Sequence, residues 1–173
     1  PEFSTLDANI ALARSLTLTG ELDRAQHHCE RALRQLPRSD AKRCGRALYA
    51  AGLLAWYRGD LKAAEENLTD ALGYVRQTAD QRELAAVVTA IGLVAHRRGE
   101  LEYAAQCYER ALTLGEQAGD ATRILTSLQN IAVAAHQSGD ITRALATYHE
   151  AYAMAKALLQ TGRVIQLAAN QGK

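Results

Sequence analysis

Apolar residues along this chain recur at helical spacing, and the pattern itself repeats. Between Ser4 and Leu18, the residues Leu6, Ile10, Leu12, Ala13 and Leu16 fit a helical period better than strand alternation. Ser4 or Thr5 can cap the start of that helix by accepting an otherwise unpaired backbone N–H. Gly20 ends it, because glycine takes the left-handed conformation cheaply. A second helix is expected over about 21–36, with Pro37 as its stop. The unit then returns, with helices expected at about 40–58, 61–78, 81–97, 101–118, 121–137 and 141–159, and a last fragment from 162.

Two ladders punctuate the pattern. The pairs Gly20-Glu21, Gly59-Asp60, Gly99-Glu100 and Gly139-Asp140 lie 39 (59−20), 40 (99−59) and 40 (139−99) residues apart. An aliphatic residue, two variable residues and an alanine follow each pair, the alanines being Ala25, Ala64, Ala104 and Ala144. Asp40, Asp80 and Asp120 recur at intervals of 40, each at the expected start of the first helix of a pair. Aspartate there satisfies orphan amides and complements the positive helix end. A fixed period of this length marks stacked helical repeats, which bury their core against their neighbours.

Small residues keep the same register. Ala13, Gly52, Gly92 and Ala132 align in the first helices, and Ala32, Ala71, Ala111 and Ala151 align in the second. Mid-helix glycine costs about 1 kcal/mol relative to alanine, so Gly52 and Gly92 predict close helix contacts. Larger residues, Leu12, Leu68, Tyr108, Ile131, Ile141 and Tyr148 among them, are expected to fill the space around these small positions.

The second-helix frame Ala-x3-large-x2-Ala appears as Ala25/Cys29/Ala32, Ala64/Leu68/Ala71, Ala104/Tyr108/Ala111 and Ala144/Tyr148/Ala151. A looser first-helix frame appears as Leu48-x2-Ala51-Gly52 and Val88-x2-Ile91-Gly92. With these frames the chain resembles the tetratricopeptide repeat (TPR) family from about residue 5 onward. The resemblance implies an all-α fold, a right-handed α-solenoid of antiparallel helix pairs. The period of 40 departs from the family's usual 34. It is similar to the long-helix subclass of kinesin light chain, the Leu-Gly-Asn-repeat adaptors and bacterial TPR regulators.

Pro1-Glu2-Phe3 reads as a cloning remnant, leaving one domain over 4–173. Its repeats are expected at about 4–38, 39–78, 79–118 and 119–160, with a truncated fifth at 161–173. The chain is therefore expected to be a fragment of a longer protein.

Composition narrows the function. A net charge of +1 gives no polyanion-binding field, and the basic pairs Lys42-Arg43 and Arg97-Arg98 are too short to change that. No apolar run approaches membrane-spanning length and no signal peptide is visible, so no membrane partner and a cytoplasmic location are expected. Cys29, Cys44 and Cys107 form no metal or disulfide framework. No nucleophile–base motif or phosphate loop is present, so neither an enzyme nor a cofactor is expected. His96 and His136 lack a third ligand in register, so no metal is expected, and His27-His28 reads as solvated surface.

The resemblance implies a concave groove lined by the first helices. By helical spacing its candidate partner-binding residues are Arg14, Arg46, Tyr49, Leu53, Trp56, Thr89, Leu93, His96, Arg97, Gln129, Asn130, Val133 and His136. The apolar row Leu53–Leu93–Val133 either anchors a peptide or packs between repeats. Trp56, the one tryptophan, is expected to be partly exposed. The Lys/Asn/Arg clamp of chaperone-binding members is absent, only Arg14 being basic in the corresponding rows. The expected function is a protein-interaction module that binds a peptide or partner domain within a larger regulatory or signalling protein. The alternative is a ligand- or peptide-sensing domain controlling a linked effector. A third reading is self-association through the open C-terminal end.

Overall fold

The computed structural model describes residues 5–36 and 39–171, with residues 160–171 as backbone. Eight helices and no strand occur among the described residues. They are α1 (Thr5–Thr19), α2 (Leu22–Arg34), α3 (Ala41–Arg58), α4 (Leu61–Val75), α5 (Gln81–Arg97), α6 (Leu101–Gln117), α7 (Ala121–Gln137) and α8 (Ile141–Gln171). They pack as antiparallel pairs α1/α2, α3/α4, α5/α6 and α7/α8, stacked in chain order into a solenoid.

The Gly-acid pairs are the turns inside each helix pair. Gly20, Gly59, Gly99 and Gly139 all sit in the left-handed region, at φ of 84, 82, 80 and 85°. The amide of the acid that follows donates back to a carbonyl five residues earlier, as from Glu21 to Leu16 and from Asp140 to Ala135, both at 2.9 Å. This closes the helix end by satisfying a carbonyl that has no partner within the helix. Asp60 then caps α4, accepting from the Ala63 amide at 3.0 Å, whereas Glu21 and Glu100 make no such side-chain bond. The second ladder caps the first helices. Asp40 accepts from the Arg43 amide at 3.0 Å, Asp80 from Glu83 at 3.2 Å and Asp120 from Arg123 at 3.1 Å.

The small-residue registers are the packing seams. All eight in-register alanines of the second helices are buried, from Ala25 to Ala151. At Gly52 an added Cβ would lie 2.6 Å from Leu68 Cγ, and at Gly92 it would lie 2.6 Å from Tyr108 Cε1. Leu68 and Tyr108 are themselves fully buried, so each glycine makes room for one large side chain of its partner helix.

Three expectations for large residues fail at the two ends of the array. Leu12 is 44% exposed, Ile141 49% and Tyr148 40%. Position for position, the counterparts of Leu12 (Ala51, Ile91 and Ile131), of Ile141 (Leu61 and Leu101) and of Tyr148 (Leu68 and Tyr108) are half-buried or buried, because a further helix covers them. No described helix covers α1 on its outer side or α8 on its far side. The break expected near residue 160 is also not formed, since α8 runs without interruption from Ile141 to Gln171. The capping aspartate due at that register position is Gln160, and neither a Gly-acid pair nor a proline stands beside it.

Candidate functional site: the inner line of first helices

The helix contacts are lopsided. The first helices touch one another in series, α1 with α3, α3 with α5 and α5 with α7. Among the described residues no two second helices pack in this way, and α6 and α8 meet only through the exposed Arg143–Glu109 ion pair. A stack whose elements touch on one side and spread apart on the other curves toward the touching side. The first helices therefore form the inner wall.

The candidate residues on this wall divide into three groups. The first surrounds a recess of about 80 Å³ opening between α1, α3, α5 and the start of α7. Of the candidate residues, Arg14, Arg46 and Tyr49 line it, together with Arg82, Glu83 and Arg123, which lie outside the expected rows. The Arg14 guanidinium lies over the Tyr49 ring at 5.3 Å. Arg46 Nε stands 3.6 Å from Glu83 Oε1, longer than a charge-assisted hydrogen bond. Arg14 Nε and Glu83 Oε2 are buried without hydrogen-bond partners. Burial, and secondarily the Asp80 carboxylate, raise the Glu83 carboxyl above its ordinary value, against the opposing pull of Arg46, Lys42 and Arg14. A periodic signal for this group is present in the chain, since Arg43, Glu83 and Arg123 recur at 40-residue intervals (83−43, 123−83).

The second group is a clasp between repeats. Trp56 is half-buried, and its indole N–H donates to the Leu93 carbonyl at 3.2 Å. Arg97 reaches back, donating to the Trp56 carbonyl at 2.6 Å while its guanidinium lies 4.5 Å from the indole centre. Leu53 and Thr89, only 8% and 7% exposed, also lie between helices rather than on the wall. Leu53 clusters with Ala90 and Val94 of the next repeat, and the Thr89 hydroxyl donates to the Ala85 carbonyl at 2.8 Å. Leu93 packs against the cluster that holds Tyr108 and Ile131. His96 has its Nε2 buried without a partner.

The third group, on α7, is open. Gln129, Val133 and His136 are exposed and Asn130 is half-buried. The row Leu53–Leu93–Val133 thus passes from buried to exposed along the array. Away from the wall, His28 is half-buried on α2, its Nδ1 2.9 Å from Asn9 Oδ1, and only His27 is exposed. Among the described residues no three His, Cys, Asp or Glu side chains converge as a metal site. No helix among them is long and apolar enough to cross a membrane.

Stacked helix pairs with an inner wall of first helices define the helical-repeat scaffolds. Residues 83–157 match the tetratricopeptide repeat family. The chain is similar to the apo form of RapI, with a TM-score of 0.80 at 14% identity over 92% of this chain and 59% of that one. It is similar to BtubC (BKLC) from P. vanneervenii, with a TM-score of 0.72 at 18% identity over 86% and 61% of the two chains. A Podosopora anserina putative kinesin light chain with nearly identical TPR-like repeats gives 0.70 at 16% identity over 86% and 74%. At these identities the likeness is one of fold. The chain spans 59% and 61% of the first two structures. No curated protein matches it in sequence. The chain has the fold of a tetratricopeptide-repeat solenoid, with residues 83–157 matching the family itself, and that fold serves generally as a protein-interaction scaffold.

Proposed function

We propose that this array binds a peptide segment of a partner protein along the inner wall of α1, α3, α5 and α7, as one part of a larger regulatory protein. The observation that carries the reading is the state of that wall. Its helices form a continuous line, yet Tyr49, Leu93 and His96 remain half-buried and Gln129, Val133 and His136 exposed. Such a mixture of aromatic, apolar and amide side chains on a concave face suits an extended or helical peptide, with apolar anchors flanked by hydrogen bonds. Leu53 and Thr89 take no part in this reading because they are buried.

The test is a panning of a displayed random nonapeptide library against the folded chain, with binding of recovered peptides then measured on variants. Tyr49→Ala, Gln129→Ala and His136→Ala are expected to weaken binding. Glu66→Ala and Arg110→Ala, exposed on second helices, are expected to leave it unchanged. Equal losses from both sets would refute the inner-wall assignment.

A further inference from the structure

The recess on the inner wall carries a charge imbalance that the fold does not require. Four guanidiniums, Arg14, Arg46, Arg82 and Arg123, line it against one carboxylate, Glu83. The acids nearby do little to neutralise them. Arg46 meets Glu83 at 3.6 Å and Arg82 meets Asp120 at 3.9 Å, both beyond hydrogen-bond length. Asp80 is occupied elsewhere, accepting from the Arg82 and Glu83 amides at 3.1 and 3.2 Å and standing 4.0 Å from Lys42. Among the described residues, no carboxylate lies within ion-pair distance of Arg14 or Arg123. Arg14 also has its Nε buried and unpaired. A buried donor without an acceptor costs free energy until something satisfies it.

We propose that this recess receives the carboxylate of an acidic side chain, Asp or Glu, presented by the peptide that lies along the inner wall. The proposal rests on the groove reading above and narrows it to acidic peptides. Guanidinium groups offer planar paired donors that match a carboxylate, and they hold it most strongly where water is scarce. The recess, at about 80 Å³, is several times what one water needs, roughly 10–15 Å³, and Ala86, Val87 and the Tyr49 ring supply an apolar wall for the acid's methylenes. Arg14 and Arg123 are the free donors. Glu83 opposes the incoming charge, and its presence keeps the empty recess from being wholly cationic.

The experiment uses the same nonapeptide library. Recovered peptides are expected to share an Asp or Glu at one position, and its replacement by Asn or Gln should weaken binding about tenfold or more. Arg14→Gln and Arg123→Gln should each weaken the acidic peptide and leave its amide form unchanged. Glu83→Gln should tighten the acidic peptide, an opposite sign that loss of folding cannot produce. Circular dichroism checks that every variant is folded. Peptides recovered without an acidic position, or an acid preference that survives both arginine variants, would overturn the inference while leaving the groove reading intact. Recovery of no peptide at all would remove both. Binding of a DNA duplex with the same arginine dependence, in place of any peptide, would also overturn it.

Discussion

Placing one methyl group at two different glycines tests the account of how the helices pack. Gly52, in α3, and Gly73, in α4, are both helical. Replacing either with alanine gains the same helix propensity, about 1 kcal/mol. At Gly73 the new Cβ meets nothing within 4 Å, so that gain should appear in full as stabilisation. At Gly52 the Cβ would lie 2.6 Å from Leu68 Cγ, 2.8 Å from Leu68 Cδ2 and 3.4 Å from the Ala64 carbonyl. Leu68 is 0% exposed and Ala64 flanks it in the same seam, also at 0%, so the leucine has no free space to move into. Overpacking of this kind costs about 1–3 kcal/mol. Since the propensity gain is common to both variants, the difference between them isolates that cost. Gly73→Ala should raise the urea midpoint, and Gly52→Ala should fall below Gly73→Ala by about 1–3 kcal/mol. Both are read by helical circular dichroism with the slope compared, because repeat arrays lose two-state behaviour when a junction weakens. Equal stabilisation by the two substitutions would refute the assignment of Gly52 to a tight seam.

Other consequences are open to measurement. Trp56→Phe keeps a ring in the inter-repeat clasp but removes the donor to the Leu93 carbonyl, and should cost about 1 kcal/mol in urea unfolding; Trp56→Ala should cost more, since the Arg97 stacking is lost as well. Burial raises the thiols of Cys44 and Cys107 and pushes Cys29 up to about 11, so all three should resist a disulfide reagent at pH 8 until the chain is unfolded. Glu83 has its folded carboxyl raised above its ordinary 4.5, so the native state binds its proton more tightly than the unfolded chain. Its contribution therefore falls as pH rises from 4.5 upward, and the melting temperature of Glu83→Gln should gain on the parent over that window.

The repeat architecture was legible in the sequence because its rules are local. Left-handed glycines and capping aspartates act within one turn of their own position, the in-register alanines meet a helix only one short turn away in the chain, and all appear where the 40-residue period puts them. The inner wall was less legible because contacts between repeats are not in register. Equal spacing pairs Trp56 with His96, yet the structure pairs it with Leu93 and Arg97, one helical turn before and one residue after. Arg14 likewise meets Tyr49, one turn short of its in-register counterpart Leu53. Neighbouring first helices are offset along their axes, so rows drawn at a constant interval miss partners by about one turn. The ends differ for another reason. Ile141 and Tyr148 occupy core positions by pattern, but burial depends on a neighbour that the pattern does not supply.

The uneven contact between first and second helices makes the array a spring. Its inner line, α1–α3–α5–α7, is continuous, while its outer helices stand apart as struts, held mainly through that line. Bending about the inner line changes the gaps between struts, and among the described residues the side-chain bond that spans such a gap is the exposed Arg143–Glu109 ion pair between α8 and α6. An occupant wedged along the inner line alters the small rotation at each junction, and the rotations add from repeat to repeat. If the groove is occupied as proposed, occupancy of a narrow cleft would be converted into a change of pitch, readable at both ends of the coil as a change in length.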